Sequence, residues 1–248
     1  MSIRILSNDE YSNLYNFGKN KWKGPCTKNT RWCFYEKYKT PNYGHLYNKN
    51  QFECCNKHLI YLLKKLCDAS KKYNFKFFLD WGSLMGCLRN GKMIPYDVDI
   101  DIGICEEDLC NFKNSLNYLC NNGEQVRQNG AEMIIYQLSS INSIHIDIFI
   151  FNKQTKNNKI LYIGNRNTPN SYFLKEDLFP LKKINFENME VLIPNKSREY
   201  LERNYGKGCI ENPITKHCYI NDYVKRNGTN GDLPDKNTWN RLLRNKKD

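Results

Sequence analysis

Residues 77–104 read FFLDWGSLMGCLRNGKMIPYDVDIDIGI, and the fold turns on the end of that string. Asp97, Asp99 and Asp101 alternate with Val98, Ile100 and Ile102. On a β-strand, side chains two apart point the same way. The three carboxylates therefore share one face and the aliphatic residues pack the other. Carboxylates crowded together repel unless a cation joins them or one takes up a proton. Mg²⁺ suits such a face, because it takes one or two carboxylates plus substrate phosphates. The same alternation also describes a charged edge strand that resists aggregation. The upstream turn favours the metal reading. Trp81-Gly82-Ser83 follows an apolar run, Phe75 to Leu79, and opens a helix. Gly82 allows close backbone approach, and Ser83 with its neighbours offers a phosphate seat at the helix start.

Working outward, residues 51–72 place Leu59, Leu62, Leu63, Leu66 and Ala69 at helical spacing with lysines opposite. Residues 106–120 read as one helix with Leu109, Phe112, Leu116 and Leu119 on a face. Residues 132–138 and 143–151 read as strands. In the second, His145, Asp147 and Phe149 lie opposite Ile144, Ile146, Ile148 and Ile150. An acid inside an apolar strand needs a partner, and the cation of Asp99 and Asp101 supplies one. His145 shares the Asp147 face, placed to touch phosphate or to orient Asp147; a purely structural histidine fits the pattern equally. Residues 181–186 and 189–193 form a hairpin about Glu187-Asn188, followed by a helix over 197–204. A capping-box pattern at Ser7–Glu10 opens a short N-terminal helix, and residues 24–49 and 165–169 read as irregular. The tail beyond residue 213 is polar, with Trp239, Leu242 and Leu243 as apolar anchors.

The 248 residues suffice for one catalytic core with a small appendage. With 40% hydrophobic and 26% charged residues the composition is that of a soluble globular protein. The net charge of +12 suits anionic partners such as nucleotides or phosphorylated glycans. The basic residues are scattered, so nucleic acid is not the expected partner. No apolar run reaches the length of a membrane span, and the N-terminus lacks a secretory pattern, so a cytoplasmic protein is expected. Eleven scattered cysteines in such a protein argue for thiols and metal ligands over disulfides.

The string GSLMGCLRNGKMIPYDVDIDIGI resembles the signature of the LicD/fukutin family of nucleotidyltransferase-fold proteins, and within it the fukutin-related branch. In this chain the string runs Gly82-Ser83-Leu84-x-Gly86-x-x-Arg89, then Ile94-Pro95-Tyr96-Asp97, then Asp99-x-Asp101. A second, distant stretch, EVLIPNKSREYLERNYGKGCIENP, resembles the same branch, as does the pattern His-x-Asp-x-[Phe/Trp] at His145. Tyr96 stands where the family usually has Trp, a mild departure.

The resemblance implies an α+β fold, a nucleotidyltransferase-like mixed β-sheet flanked by helices. It implies a helix and zinc-binding loop over residues 1–56, a catalytic core over 57–213, and a tail over 214–248. The branch carries two separated cysteines followed by a Cys-Cys pair. Cys26, Cys33, Cys54 and Cys55 repeat that order, which implies a structural Zn²⁺ with no open position; spacing alone leaves four unrelated thiols equally open. The implied activity is transfer of an alditol phosphate, ribitol 5-phosphate first, from a CDP-linked donor to a glycan hydroxyl with release of CMP. Asp99, Asp101 and Asp147 would hold Mg²⁺ or Mn²⁺, Gly82, Ser83, Arg89 and His145 would meet phosphate, and either Asp97, the spare acid, or Asp147 would take the acceptor proton. Three rivals stay open: a phosphocholine transferase, a true nucleotidyltransferase acting on a small molecule, and a non-catalytic zinc module that binds nucleic acid. The oligomeric state is not legible.

Overall fold

The computed structural model describes residues 27–29, 53–94, 99–164 and 171–211. The expected N-terminal helix, most of the cysteine loop, Asp97, the 165–169 loop and the polar tail lie outside them. Helix α1 (Glu53–Tyr73) buries the predicted stripe completely: Leu59, Leu62, Leu63, Leu66 and Ala69. It lies against the aliphatic face of a seven-stranded mixed sheet.

Strand β1 (Phe78–Leu79) is only two residues long, much shorter than the apolar run around it. Phe75 and Phe77 are buried outside any strand. Helix α2 (Trp81–Asn90) follows directly. Its first turn is capped by Asp80, whose Oδ1 accepts from the Trp81 amide at 2.8 Å, and Gly91 closes it at φ 71°. Strand β2 (Ile100–Cys105) comes next and then, instead of one long helix, three short pieces: a 3₁₀ turn (Glu106–Asp108), α3 (Leu109–Asn114) and α4 (Leu116–Leu119). The break falls at Ser115, a buried residue whose hydroxyl donates to the Phe112 carbonyl at 2.7 Å. That local bond competes with helix continuation.

Strands β3 (Gln125–Gln128), β4 (Met133–Gln137) and β5 (His145–Lys156) form an antiparallel meander. The order β1-β2-β5-β4-β3 places β2 parallel to β5, with Asp101 opposite Asp147. The second half of β5 pairs with β6 (Lys159–Ile163), which pairs with β7 (Tyr172–Leu174). After α5 (Lys175–Leu178), β8 (Lys182–Phe186) and β9 (Met189–Ile193) form the expected hairpin. Its turn residues Glu187 and Asn188 have φ 50° and 63°, the left-handed pair that a two-residue hairpin favours. That turn docks on the end of α2: Glu187 N–H donates to the Gly91 carbonyl, and its Oε1 accepts from the Met93 amide at 2.8 Å. Helix α6 (Ser197–Tyr205) packs beside α2. Among the described residues no helix is long and apolar enough to cross a membrane.

Candidate metal and phosphate site

Parallel pairing of β2 and β5 builds the site. Partners in register point to one face, so Asp101, His145, Asp147 and Phe149 lie opposite the buried Ile100, Ile102, Ile146 and Ile148. The adjoining strands extend that face. Arg127 of β3 pairs with Ile135 of β4, which pairs with Asp147, and Gln125 pairs with Gln137, which pairs with His145.

Asp99, His145 and Asp147 bring one ligand atom each within 4.8 Å of one another. Asp101 shares their face by register but stands outside that group. The sequence grouped Asp101 with the ion and left His145 open. The structure draws the imidazole in and sets Asp101 at the margin. His145 Nδ1 lies 2.8 Å from the Ser143 carbonyl, which assigns the proton to Nδ1. Nε2 then turns a lone pair toward Asp147 Oδ1, 3.4 Å away. That oxygen is sealed from solvent and makes no hydrogen bond. Burial pushes the Asp147 carboxyl above its usual range; His145 and Arg127 pull it down and Asp99 pushes it further up. A nitrogen lone pair facing a buried carboxylate oxygen is resolved by a cation between them, either a proton or a metal ion. Two carboxylates and an imidazole suit a divalent ion, and the nitrogen tilts the set from Mg²⁺ toward Mn²⁺.

The residues expected to seat phosphate have other duties here. Ser83 is buried, and its hydroxyl accepts from the Asp101 amide at 2.9 Å while Asp80 N–H donates to the Asp101 carbonyl at 3.0 Å. These bonds lock the start of α2 to β2. The Asp80 carboxylate already occupies the positive end of α2 beside Gly82. Arg89 donates from Nε to the Ile210 carbonyl at 3.1 Å and from Nη2 to the Cys209 carbonyl at 2.5 Å. It ties α2 to the turn after α6, the same turn that ends the second matched stretch of sequence. The aromatic wall beside the site is made by Trp81, whose ring meets Phe149, Tyr200 and Tyr205. Trp81 is held there at φ 39°, a strained backbone for a bulky residue.

Of the cysteines expected to hold zinc, Cys26 and Cys33 lie outside the described residues, and Cys54 and Cys55 fall in the first turn of α1. The residues just after Cys26 are anchored near the site. Asn142 donates to the Thr27 carbonyl at 2.9 Å and Ser139 to the Lys28 carbonyl, three and six residues before His145. Asn142 and Ser139 carried no sequence signal beyond their place in a polar turn.

Parallel β2 and β5, which carry the acidic residues, lie inside the mixed sheet, and the stretch that forms them matches a nucleotidyltransferase domain. Residues 74–196 match the family described as LicD/FKTN/FKRP, nucleotidyltransferase domain, and through them the chain belongs to the LicD family. An uncharacterised protein of Rickettsia typhi is 34% identical over 149 residues, covering 58% of this chain and 46% of that protein. Human ribitol 5-phosphate transferase FKRP is 29% identical over 224 residues, 86% of this chain and 42% of the relative. The chain thus spans less than half the length of these two relatives. A lincosamide antibiotic adenylyltransferase bound to lincomycin superposes with a TM-score of 0.42 at 15% identity, over 66% of this chain and 95% of the other.

Proposed function

We propose that this protein is a LicD-type phosphotransferase that moves an alditol phosphate, ribitol 5-phosphate first among them, from a CDP-linked donor to a glycan hydroxyl and releases CMP. The observation that carries the reading is the convergence of Asp99, His145 and Asp147 on one point, with a buried Asp147 oxygen left without a hydrogen bond. Asp99, His145 and Asp147 would hold a divalent ion there, and it would supply neutralisation of the charge that develops on phosphate during transfer. The chain's own residues do the rest. Ser143 fixes the imidazole so that Nε2 faces Asp147. Ser83 and Asp80 grip both backbone groups of Asp101, which keeps β2 in line with β5. Asp101, beside the trio, and Asp97, two residues before Asp99, are the carboxylates available to accept the acceptor's proton. The relatives named as ribitol 5-phosphate transferases support the choice of group transferred. A structural Zn²⁺ on Cys26, Cys33, Cys54 and Cys55 belongs to the same proposal.

The test is a donor screen with Mn²⁺ or Mg²⁺ and CDP-ribitol, CDP-glycerol or CDP-choline against a glycan acceptor. CMP release with a phosphodiester product is the expected result, lost in Asp99→Asn and Asp147→Asn. Pyrophosphate as the product would instead make the protein a nucleotidyltransferase. Turnover undiminished in both variants would remove the site from the reaction.

A further inference from the structure

Among the described residues, neither Arg89 nor the start of α2 offers the acidic site a positive partner for the donor. Asp99, Asp101 and Asp147 carry up to three negative charges on one face, and one divalent ion offsets only part of them. A diphosphate adds two or more further negative charges, so a protein cation must meet it. Arg89 spends two N–H groups on the carbonyls of Cys209 and Ile210, and the α2 start is capped by Asp80.

Across the sheet from the acids stands Arg127. It lies in one row with Ile135, Asp147 and Asp101, on four neighbouring strands. Two strand spacings, about 10 Å, separate its backbone from that of Asp147, a gap that a long side chain largely spans. Its charge is felt at Asp147. Its side chain is also aimed: Nε donates to Gln137 Oε1 at 3.3 Å. Gln137 is buried and is itself held, donating to the Ser139 carbonyl at 2.7 Å and to Gln125 Oε1 at 3.3 Å. Among the described residues the two Nη groups of Arg127 have no hydrogen-bond acceptor. An exposed guanidinium oriented through Nε, with its terminal donors available beside an acidic metal cluster, is arranged for two-pronged capture of phosphate oxygens.

We infer that Arg127 is a substrate-binding residue of this site, gripping the diphosphate of the nucleotide-linked donor while Gln137 orients it. The inference rests on the donor reading above and adds to it a residue outside the matched sequence signatures.

The experiment is calorimetric titration of CDP into the Mn²⁺-loaded protein, comparing the unaltered chain with Arg127→Gln and Arg127→Lys. Loss of a charge-assisted, two-pronged contact predicts CDP binding weaker by ~10-fold or more in Arg127→Gln. Lysine restores the charge but not the fork, so it recovers only part of the affinity. Titration of Mn²⁺ alone should differ by less than about twofold between the chains, as for a surface substitution. Equal CDP affinity in Arg127→Gln and the unaltered chain overturns the inference and leaves the donor reading standing. A parallel loss of Mn²⁺ and CDP also overturns it, because Arg127 would then serve the acidic cluster and not the ligand. Failure of the unaltered chain to bind CDP at all overturns the donor reading, and this inference with it.

Discussion

At Asp147 a single oxygen carries the chemical meaning of the sheet. Its Oδ1 is buried without a hydrogen bond, 3.4 Å from an imidazole nitrogen. If a metal ion is the missing partner, Asp147→Asn and Asp99→Asn should each weaken Mn²⁺ binding by at least ~10-fold, read by calorimetry or by the Mn²⁺ spin-resonance signal. His145→Ala separates ligation from orientation: loss of a nitrogen ligand lowers the preference for Mn²⁺ over Mg²⁺ as well as the affinity. Asp80 poses a different problem. Burial pushes its carboxyl up to about 7, against the lowering pull of the Tyr200 hydroxyl and the Trp81 amide. Tyr200 stands close enough to act on it, yet neither its hydroxyl nor Asp80 Oδ2 completes a hydrogen bond. An acid with a raised folded-state pKa stabilises most where it is protonated in both states, below about 4, and that contribution is lost as pH rises through about 7. Asp80→Asn keeps a capping side chain but cannot ionise. Urea unfolding of the variant should therefore lack a fall in stability between pH 4 and 7, on the order of a few kcal/mol, relative to the unaltered chain. The aspartate alternation and His145 were legible because a strand's two-residue period needs no tertiary knowledge. Arg127 and Gln137 were not, since only strand pairing brings them beside Asp147.

Element by element, local pattern made some segments legible and misled over residues 106–120, where the single expected helix breaks at Ser115. The leucine stripe of α1 and the turn of β8–β9 follow from local pattern. Strands β6 and β7 carry weak patterns and form because β5 continues past the site to pair with β6. Helix α2 shows how one motif serves several masters. Gly86 was legible as part of a signature, but its reason is a close approach: a Cβ there would lie 2.5 Å from the Lys92 carbonyl oxygen and 3.0 Å from the Ile94 amide nitrogen. Gly86→Ala should destabilise by ~1–3 kcal/mol despite alanine's better helix propensity, because backbone must move. Denaturant midpoints with unchanged slope would show it. Between α1 and β3, Lys65 meets Glu124 at 2.7 Å with both side chains largely buried. Burial alone would raise the Glu124 carboxyl, but hydrogen bonds from Lys65 and Tyr61 outweigh it and hold the group below its usual value. Lys65→Met strands that charge and should cost ~3–5 kcal/mol, whereas Lys65→Met with Glu124→Leu should recover most of it.

For the molecule as a whole, α+β class and family could be seen in sequence, while the order of strands could not. Nothing local in residues 99–105 says that their neighbour is 145–151 and not the intervening β3 or β4. Only the shared need of Asp147 for a partner hinted at it. This parallel pairing has a further consequence. The two halves of the acidic cluster come from opposite ends of a long excursion of chain, so neither strand excised alone carries the whole cluster. Any ion or nucleotide lodged there recognises the finished tertiary structure alone, and thermal melting in its presence becomes a gauge of global integrity. Cutting the backbone anywhere in the excursion should leave affinity intact only while the two flanking strands stay zipped together.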